Sequence, residues 1–462
     1  MNEKDTTILK QYTSPLSRSI REQYAISPDH YKGDIKLGLR NSDGTGVLVG
    51  VSKVGSVQGY LMQDGQRVPA PGKLYYRGIE LTDIVEAHRK AGTFGFEEVA
   101  YLLLMGYLPS KDELAYFDKI MNQARKLPEG FTEGMIMRHP SRSIMNELAR
   151  SVLSLYSYDP DPDNTSIDNM LLQSVKLIGY FPSIVANAYA VQRHYFHGDS
   201  LHIHFPVPEL STAENFLRMM RPDKSYTDEE AHLLDMMLMV HAEHGGGNNS
   251  TFVCRAMSSS GTDTYSAIAG AVGSLKGPLH GGANAKVMEM FRYIKENVDP
   301  HDDGSIKDYL NKLLDGAAGD RSGKLYGLGH AVYTMSDPRA VLLKKYAQRM
   351  AELKGYADDF ALLQKVEELG IPLVMERKHS DTPMCANVDM YSGLVYSMLG
   401  IPEEVFTPLF ASARIAGWCA NRIEEVITCH RIMRPAYRAV TTHEHYIPMA
   451  QRGEHLHLAK VD

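Results

Sequence analysis

From about residue 80 onward, apolar residues recur at the three-to-four spacing of an α-helix. A stripe of that period cannot line one face of a β-sheet, so the chain is restricted to a mainly α fold. β signals lie upstream, where residues 36–78 are rich in Gly and β-formers and 46–51 and 72–78 read as short strands of a small sheet. Residues 1–35 are polar and predict an N-terminal arm. Helices are expected at 97–105, stopped by Gly106 and Pro109, and at 168–192, with a kink at Pro182. Another is expected at 228–243, burying Leu233, Leu234, Met237, Leu238 and Val240. Further helices fit 283–297, 306–314, 337–353, 358–369, 388–399 and 403–426. No tandem repeat or low-complexity tract interrupts the pattern.

Composition narrows the function classes. The chain has 462 residues, 44% of them apolar and 23% charged, which excludes bulk disorder and allows a sizeable core. The net charge of −7 argues against a nucleic-acid partner, which selects for a basic face. Local basic clusters remain suited to small anions. No apolar run reaches the roughly 18 residues of a membrane span. The first ten residues, MNEKDTTILK, lack an apolar signal core, and Glu3 and Asp5 argue against a transit peptide. None of Cys254, Cys385, Cys419 and Cys429 forms a CxxC pair, so a reduced, cytoplasmic protein is expected.

Histidines gather in three places. His194, His197, His202 and His204, and again His443, His445, His455 and His457, have spacings that fit no standard metal motif and read as surface histidines. The third gathering combines glycine with ionisable groups at turns. His241-Ala-Glu-His244 runs into three glycines and Asn248; Gly277-Pro-Leu-His280-Gly-Gly-Ala-Asn284 feeds a helix; Gly327-Leu-Gly329-His330-Ala331-Val-Tyr333 precedes Asp337-Pro-Arg339. Each alone also reads as a structural turn, but three within 90 residues point to a site. A histidine at a helix N-terminus is held neutral by the positive end of the dipole, so neutral His280 is expected to donate a hydrogen bond to an oxygen that gains charge. Asp389 begins an apolar helix and reads as a capping carboxylate or a base. Arg414, inside the apolar FASARIAGWCA, either snorkels or holds an anion.

Taken together these segments resemble the citrate synthase family. Its GPLHGGAN signature stands unaltered from Gly277 to Asn284, its GxGH segment from Gly327 to His330, DPRA from Asp337 to Ala340, and NVDxxSG from Asn387 to Gly393. His244 precedes His280 by 36 residues, as in the family, and further likeness runs through 76–79, 96–109 and 210–217. The resemblance implies a mainly α homodimer with a small N-terminal β region. Each subunit would have a large domain (36–287 and 395–462) and an inserted small domain (288–394), with the site in the cleft between them.

By the same resemblance, Asp389 is the base that removes a proton from the methyl of acetyl-CoA. His280 stabilises the enol and His330 polarises the ketone of oxaloacetate. His244, Arg339 and Arg414 hold carboxylates, joined by Arg434 from the partner subunit; Asn248 shares the glycine-rich turn. Gly327, Ala331 and Asn387 contact CoA. No permanently bound cofactor and no metal is implied; acetyl-CoA is a co-substrate. Two positions depart from the bacterial pattern. Ala331 replaces an arginine, and Thr334 stands where a basic residue often meets the CoA phosphates, which leaves Arg377 or Lys378 as substitutes. The chemistry agrees with these roles: a weakly acidic thioester α-proton needs a base and an enol trap, and a dicarboxylate needs guanidinium forks. The nearest rival is 2-methylcitrate synthase, which uses propionyl-CoA; a single-chain citryl-CoA lyase is a weaker fit. More distant readings are a metal-binding hydrolase around His241 and His244, which lacks HExxH, and a non-catalytic helical scaffold.

Overall fold

In the computed structural model, which describes residues 10, 17, 20, 21, 24–42, 44–64, 66–441 and 445–452, the sheet begins at Gly55 and not at Gly46. Residue 46 makes only an isolated bridge with Arg40, and the apolar residues that suggested a strand, Leu48 and Val51, are 89% and 91% exposed. β-Branched residues favour a strand where there is a half-buried surface to pack on, and these have none. Strands β1 (Gly55–Gln63) and β2 (Gln66–Tyr76) form an antiparallel hairpin, and β3 (Ile79–Glu80) pairs with the end of β2. The expected strand at 72–78 is thus the second half of β2 and its turn into β3.

The described residues fall into two compact units, 1–49 with 434–462, and 50–433. Among the described residues the first contains short 3₁₀ turns at Pro28–Tyr31, Leu37–Leu39 and Met449–Gln451, and Arg438 reaches the carbonyls of His30 and Lys32. Of the C-terminal histidines, His443, His455 and His457 lie outside the described residues, and His445 is exposed.

The second unit holds the sheet and the helices. They are α1 (Leu81–Ala91), α2 (Phe96–Met105), α3 (Lys111–Ala124), α4 (Ile144–Leu155), α5 (Ile167–His197), α6 (Thr212–Met220), α7 (Asp228–His241) and α8 (Asn249–Ser258). After these come α9 (Thr264–Leu275), α10 (Ala283–Asn297), α11 (Asp303–Leu314), α12 (Pro338–Lys354), α13 (Ala357–Lys378), α14 (Asp389–Met398) and α15 (Glu403–Thr428). Local chemistry sets many of the ends. Capping boxes Ser110/Glu113, Ser211/Glu214 and Thr227/Glu230 start α3, α6 and α7, and left-handed Gly92, Gly106, Gly198 and Gly355 close α1, α2, α5 and α12. Two expected boundaries were too early. α5 runs on through Pro182 to His197, and α13 continues through Gly370 and Pro372 to Lys378, where Gly370 and Val374 are buried. Burial of one face outweighs the local breakers there.

The Met-rich face of α7 is core, as its spacing predicted: Leu233, Leu234, Met237, Leu238 and Val240 are at most 3% exposed. α15 crosses the middle of the unit with Trp418, Arg414 and Arg422 fully buried. Arg422 is a structural arginine whose guanidinium bonds Thr264 Oγ1, Ser258 Oγ and the Thr262 carbonyl. Arg414 is different, because the groups around it belong to the three glycine–histidine turns.

Candidate active site

The turns sit at helix ends, so backbone geometry fixes where each side chain starts. His241 ends α7, and Asn248 caps α8 by accepting from Thr251 N–H at 3.2 Å. His280 lies three residues before α10, Asp337 caps α12, and Asp389 is the first residue of α14. Asn248, His280, Arg339 and Asp389 therefore lie at or near helix N-termini, which favour anions, whereas His241 and His244 follow the end of α7 and Arg414 lies within α15.

His280 is held by the first turn of α8. Ser250 N–H donates to His280 Nε2 at 3.3 Å, and Ser250 Oγ lies 2.9 Å from the same nitrogen. Trp418 Nε1–H donates to that hydroxyl at 3.2 Å and orients it. With Nε2 accepting, a neutral His280 carries its proton on Nδ1. Burial, with Arg414 as a second cause, pulls its pKa down to about 4.

His330 is fixed in the opposite tautomer. Its Nδ1 accepts from Val332 N–H at 3.0 Å and Tyr333 N–H at 3.1 Å, so the neutral ring carries its proton on Nε2. Burial and then Arg339 lower its pKa to about 4. The ring stacks on Tyr333 with centroids 4.6 Å apart and meets His244 edge-on at 5.2 Å. His244 is held well below the usual histidine range by burial and by Arg339. Two neutral imidazoles thus each present one N–H.

The segments 327–330 and 386–389 are fastened together. Leu328 bridges Ala386, Asn387 N–H donates to Gly327 O at 2.8 Å, and Asn387 Nδ2 donates to Gly329 O at 2.8 Å. Asn387 Oδ1 accepts from Asp389 N–H at 3.0 Å and so aims the start of α14. Asp337 adds a second tie. Its Oδ1 accepts from Arg339 N–H and Nε, each at 3.0 Å, and its Oδ2 accepts from Arg339 Nη2 at 2.7 Å and Val388 N–H at 3.1 Å. Burial opposes the charge of Arg339, but Asp337 holds its pKa above the ordinary value. Asp389 is pushed up to about 6 by burial, against the pull of Arg339. A carboxyl raised towards neutrality, with Arg339 as a charged neighbour in common with His330 and Arg414 in common with His280, suits a general base.

Arg414 Nε donates to the His241 carbonyl at 2.6 Å, and burial lowers the guanidinium pKa to about 10. Its Nη2 is buried with no hydrogen-bond partner among the described residues, and the same holds for His244 Nε2, Tyr333 Oη, Ser392 Oγ, both His241 ring nitrogens and Glu243 Oε1. Buried polar atoms are nearly always paired, and the unpartnered ones on His244 and Tyr333, whose ring centroids lie 5.6 Å apart, and on Arg414, a charged neighbour of His244, point to a ligand site. The snorkelling alternative for Arg414 is excluded, because the side chain is 1% exposed. Among the described residues no group of three His, Cys, Asp or Glu is placed to hold a metal ion.

The structure brings together His244, His280, His330, Arg339, Asp389 and Arg414. Ala331 is exposed next to His330, and Gly327 is buried at a positive φ of 83°. Arg434 belongs to the other unit and is exposed. Tyr333 and Asp337 stand inside the sequence motifs with no role of their own there, and Ser250 lies two residues beyond the glycine-rich turn at Asn248. No periodicity marks Ser250, because its contact with His280 spans 30 residues. The only signal for Asp337 was its place two residues before Arg339.

Comparison with known proteins follows the same lines. A family model described as "Citrate synthase, C-terminal domain" matches residues 43–436. The citrate synthase of Deinococcus radiodurans is 36% identical over 360 residues, 77% of this chain and 88% of its own length. The 2-methylcitrate synthase of Shewanella oneidensis is 31% identical over 381 residues, 82% and 92%. The crystal structure of citrate synthase from Thermotoga maritima matches with a TM-score of 0.71 at 30% identity, covering 91% of this chain and 100% of that one. Citrate synthase from Thermoplasma acidophilum, solved in ternary complex with carboxymethyl coenzyme A and oxaloacetate, matches at 0.74 and 26% identity, with coverage of 91% and 100%.

Proposed function

The chain belongs to the citrate synthase family, and from that premise we propose how its residues divide the work of joining acetyl-CoA to oxaloacetate. The protein is an acyltransferase that forms citrate and CoA. The observation that carries the assignment of roles is the trio His280, His330 and Asp389: two neutral rings of opposite tautomer and a carboxyl raised to about 6, all with Arg339 or Arg414 as a charged neighbour.

Asp389, as carboxylate, removes a proton from the acetyl methyl. His280 Nδ1–H bonds the thioester oxygen as it gains enolate charge, and preorganised donors of this kind lower the barrier most. The enol carbon then attacks the ketone carbon of oxaloacetate. His330 Nε2–H polarises that ketone and hydrogen-bonds the oxygen as it becomes an alkoxide, and the proton that Asp389 took from the methyl balances the one that neutralises this oxygen, leaving both residues as they began. Water afterwards cleaves the citryl thioester and releases CoA. His244 and the two arginines hold the carboxylates of oxaloacetate. Arg339 offers Nη1, because Asp337 occupies Nε and Nη2; Arg414 offers its terminal nitrogens, because only its Nε is bonded, to the His241 carbonyl. Gly327, Ala331 and Asn387 lie along the CoA path in this reading. Of the basic substitutes for the CoA phosphates, Arg377 is ion-paired with Asp315 at 2.7 Å, which leaves the exposed Lys378.

The function is tested by CoA release with oxaloacetate and either acetyl-CoA or propionyl-CoA. Faster release with acetyl-CoA is expected. One methylene is worth about 1–3 kcal/mol in a pocket, so measurable propionyl-CoA turnover is compatible with this reading. A kcat/KM that favours propionyl-CoA would make the protein a 2-methylcitrate synthase, a reading supported by the Shewanella oneidensis relative.

The division into a large domain (36–287 and 395–462) and a small domain (288–394) belongs to the proposal, as does a homodimer in which Arg434 completes the neighbour's site. Mixing Arg434→Ala protein with His280→Ala protein then restores activity, because each hybrid dimer has one site with both residues intact. Hybrids that form, as seen by native mass spectrometry, yet stay inactive would remove Arg434 from the shared site. A cytoplasmic location fits four cysteines that are all free, and no helix among the described residues is long and apolar enough to cross a membrane.

A further inference from the structure

The β1–β2 hairpin packs closely against the loop that follows His330. Its ladder is regular at both ends but breaks in the middle, where the register jumps from Gln58↔Lys73 to Tyr60↔Pro69. Gly59 on β1 thus faces three residues of β2, Ala70, Pro71 and Gly72. The two prolines of this stretch, Pro69 and Pro71, have no N–H to give to a ladder. The backbone groups released at this bulge are used elsewhere. Thr334 Oγ1 donates to the Gly59 carbonyl at 3.2 Å, and Gly72 N–H donates to Ser336 Oγ at 3.0 Å.

Neither glycine can be replaced without moving something. A Cβ at Gly59 would overlap the Val332 carbonyl, lying 2.9 Å from its carbon and 3.0 Å from Tyr333 Cα. A Cβ at Gly72 would overlap the Ser336 carbonyl and come within 2.6 Å of the Tyr333 ring. Bulge and loop therefore pack backbone to backbone on both sides of Val332 and Tyr333. Those are the two residues whose N–H groups hold His330 Nδ1, and the Tyr333 ring stacks on the imidazole.

We propose that the bulged centre of the hairpin is a clasp that positions His330, with Thr334 and Ser336 as its two latches. The clasp holds the Val332 and Tyr333 amides in line with Nδ1, which keeps the proton on Nε2 and the ring aimed at the ketone. This deepens the role given to His330 above and rests on it. Thr334 accordingly acts as a latch to the hairpin, and its hydroxyl is engaged there rather than turned to a phosphate.

The test uses the double variant Thr334→Val/Ser336→Ala, which removes both latch bonds and adds no bulk, and Gly72→Ala, which keeps the hydroxyls and wedges the surfaces apart. Three readouts are compared with wild type: amide hydrogen exchange over 329–336 without substrate, the infrared stretch of the ¹³C-labelled ketone of bound oxaloacetate, and steady-state turnover. The expected result is faster exchange in both variants and a ketone stretch shifted back towards that of free oxaloacetate. Turnover should fall about ten- to thirtyfold in the double variant, the equivalent of two ordinary hydrogen bonds. Unchanged exchange together with an unchanged ketone stretch overturns the clasp, as does a loss of turnover no larger than the loss of folded protein. A wild-type ketone that shows no polarisation would instead overturn the role of His330, and the exchange comparison would still decide whether the hairpin holds the loop.

Discussion

Asp389→Asn lowers turnover roughly 10²–10⁴-fold, the range a positioned general base contributes, while oxaloacetate binds as before. The amide keeps the shape of the side chain and its place at the start of α14, but it cannot accept the methyl proton. The pH dependence follows from the same residue. With Asp389 at about 6, the carboxylate form is lost as pH falls through 6, and kcat/KM declines on that acid limb. His280 and His330, both at about 4, stay neutral throughout that range and add no limb of their own above it. The variant should lack the limb. Stability moves the other way. Burial raises the folded pKa of Asp389 above its unfolded value near 3.8, so the folded state gains from the protonated form and that gain is lost as pH rises through 6. The Asn variant is therefore expected to melt higher than wild type at pH 8, with the difference shrinking towards pH 4. Near-normal turnover, or an acid limb that survives in the variant, would take Asp389 out of the mechanism.

Arg414→Met has the second largest expected effect. Removing one partner of a buried, hydrogen-bonded charge pair costs about 2–5 kcal/mol, roughly a thirtyfold to several-thousandfold loss of oxaloacetate affinity. In the substrate-free protein the same change should stabilise the fold. The guanidinium is 1% exposed, has one buried nitrogen with no partner among the described residues, and has its pKa drawn down to about 10 by burial. A methionine of similar length removes that desolvation cost and packs against Phe410, whose ring now lies 4.6 Å below the guanidinium carbon. Calorimetric titration with oxaloacetate and thermal melting of the free protein together check the prediction. Weaker binding with a higher melting temperature supports it, whereas equal affinity would show that Arg414 does not touch the substrate.

What was legible in the chain alone has a common physical basis: it is local. Helical period identified the mainly α fold, and the buried face of α7 follows from spacing within one element. Capping residues and glycines mark many of the helix ends for the same reason, since a cap bonds within three residues of itself. His244, His280 and His330 were legible because ionisable side chains stand beside glycine at three turns, whereas the roles of Asp389, Arg339, Arg414 and Arg434 came from the resemblance to the citrate synthase family. At 46–51, local preference misled, because a strand needs a partner and a face to bury, and neither is encoded within the segment. The helix expected at 358–369 ended short of Gly370 and Pro372, local costs that burial of the helix face outweighed.

Only the tertiary structure decided how the site works. The proton on His280 is placed by Ser250, 30 residues away, whose hydroxyl is set by Trp418, 168 residues from it. Asp337 joins Arg339 to the base-bearing turn across 51 residues, and the hairpin reaches Thr334 and Ser336 across more than 260. Hydrogen bonds of that separation leave no period and no motif, because they depend on where packed helices bring backbone amides rather than on neighbouring residues. The pKa values were equally out of reach. They are set mainly by desolvation, and burial is a property of the assembled core.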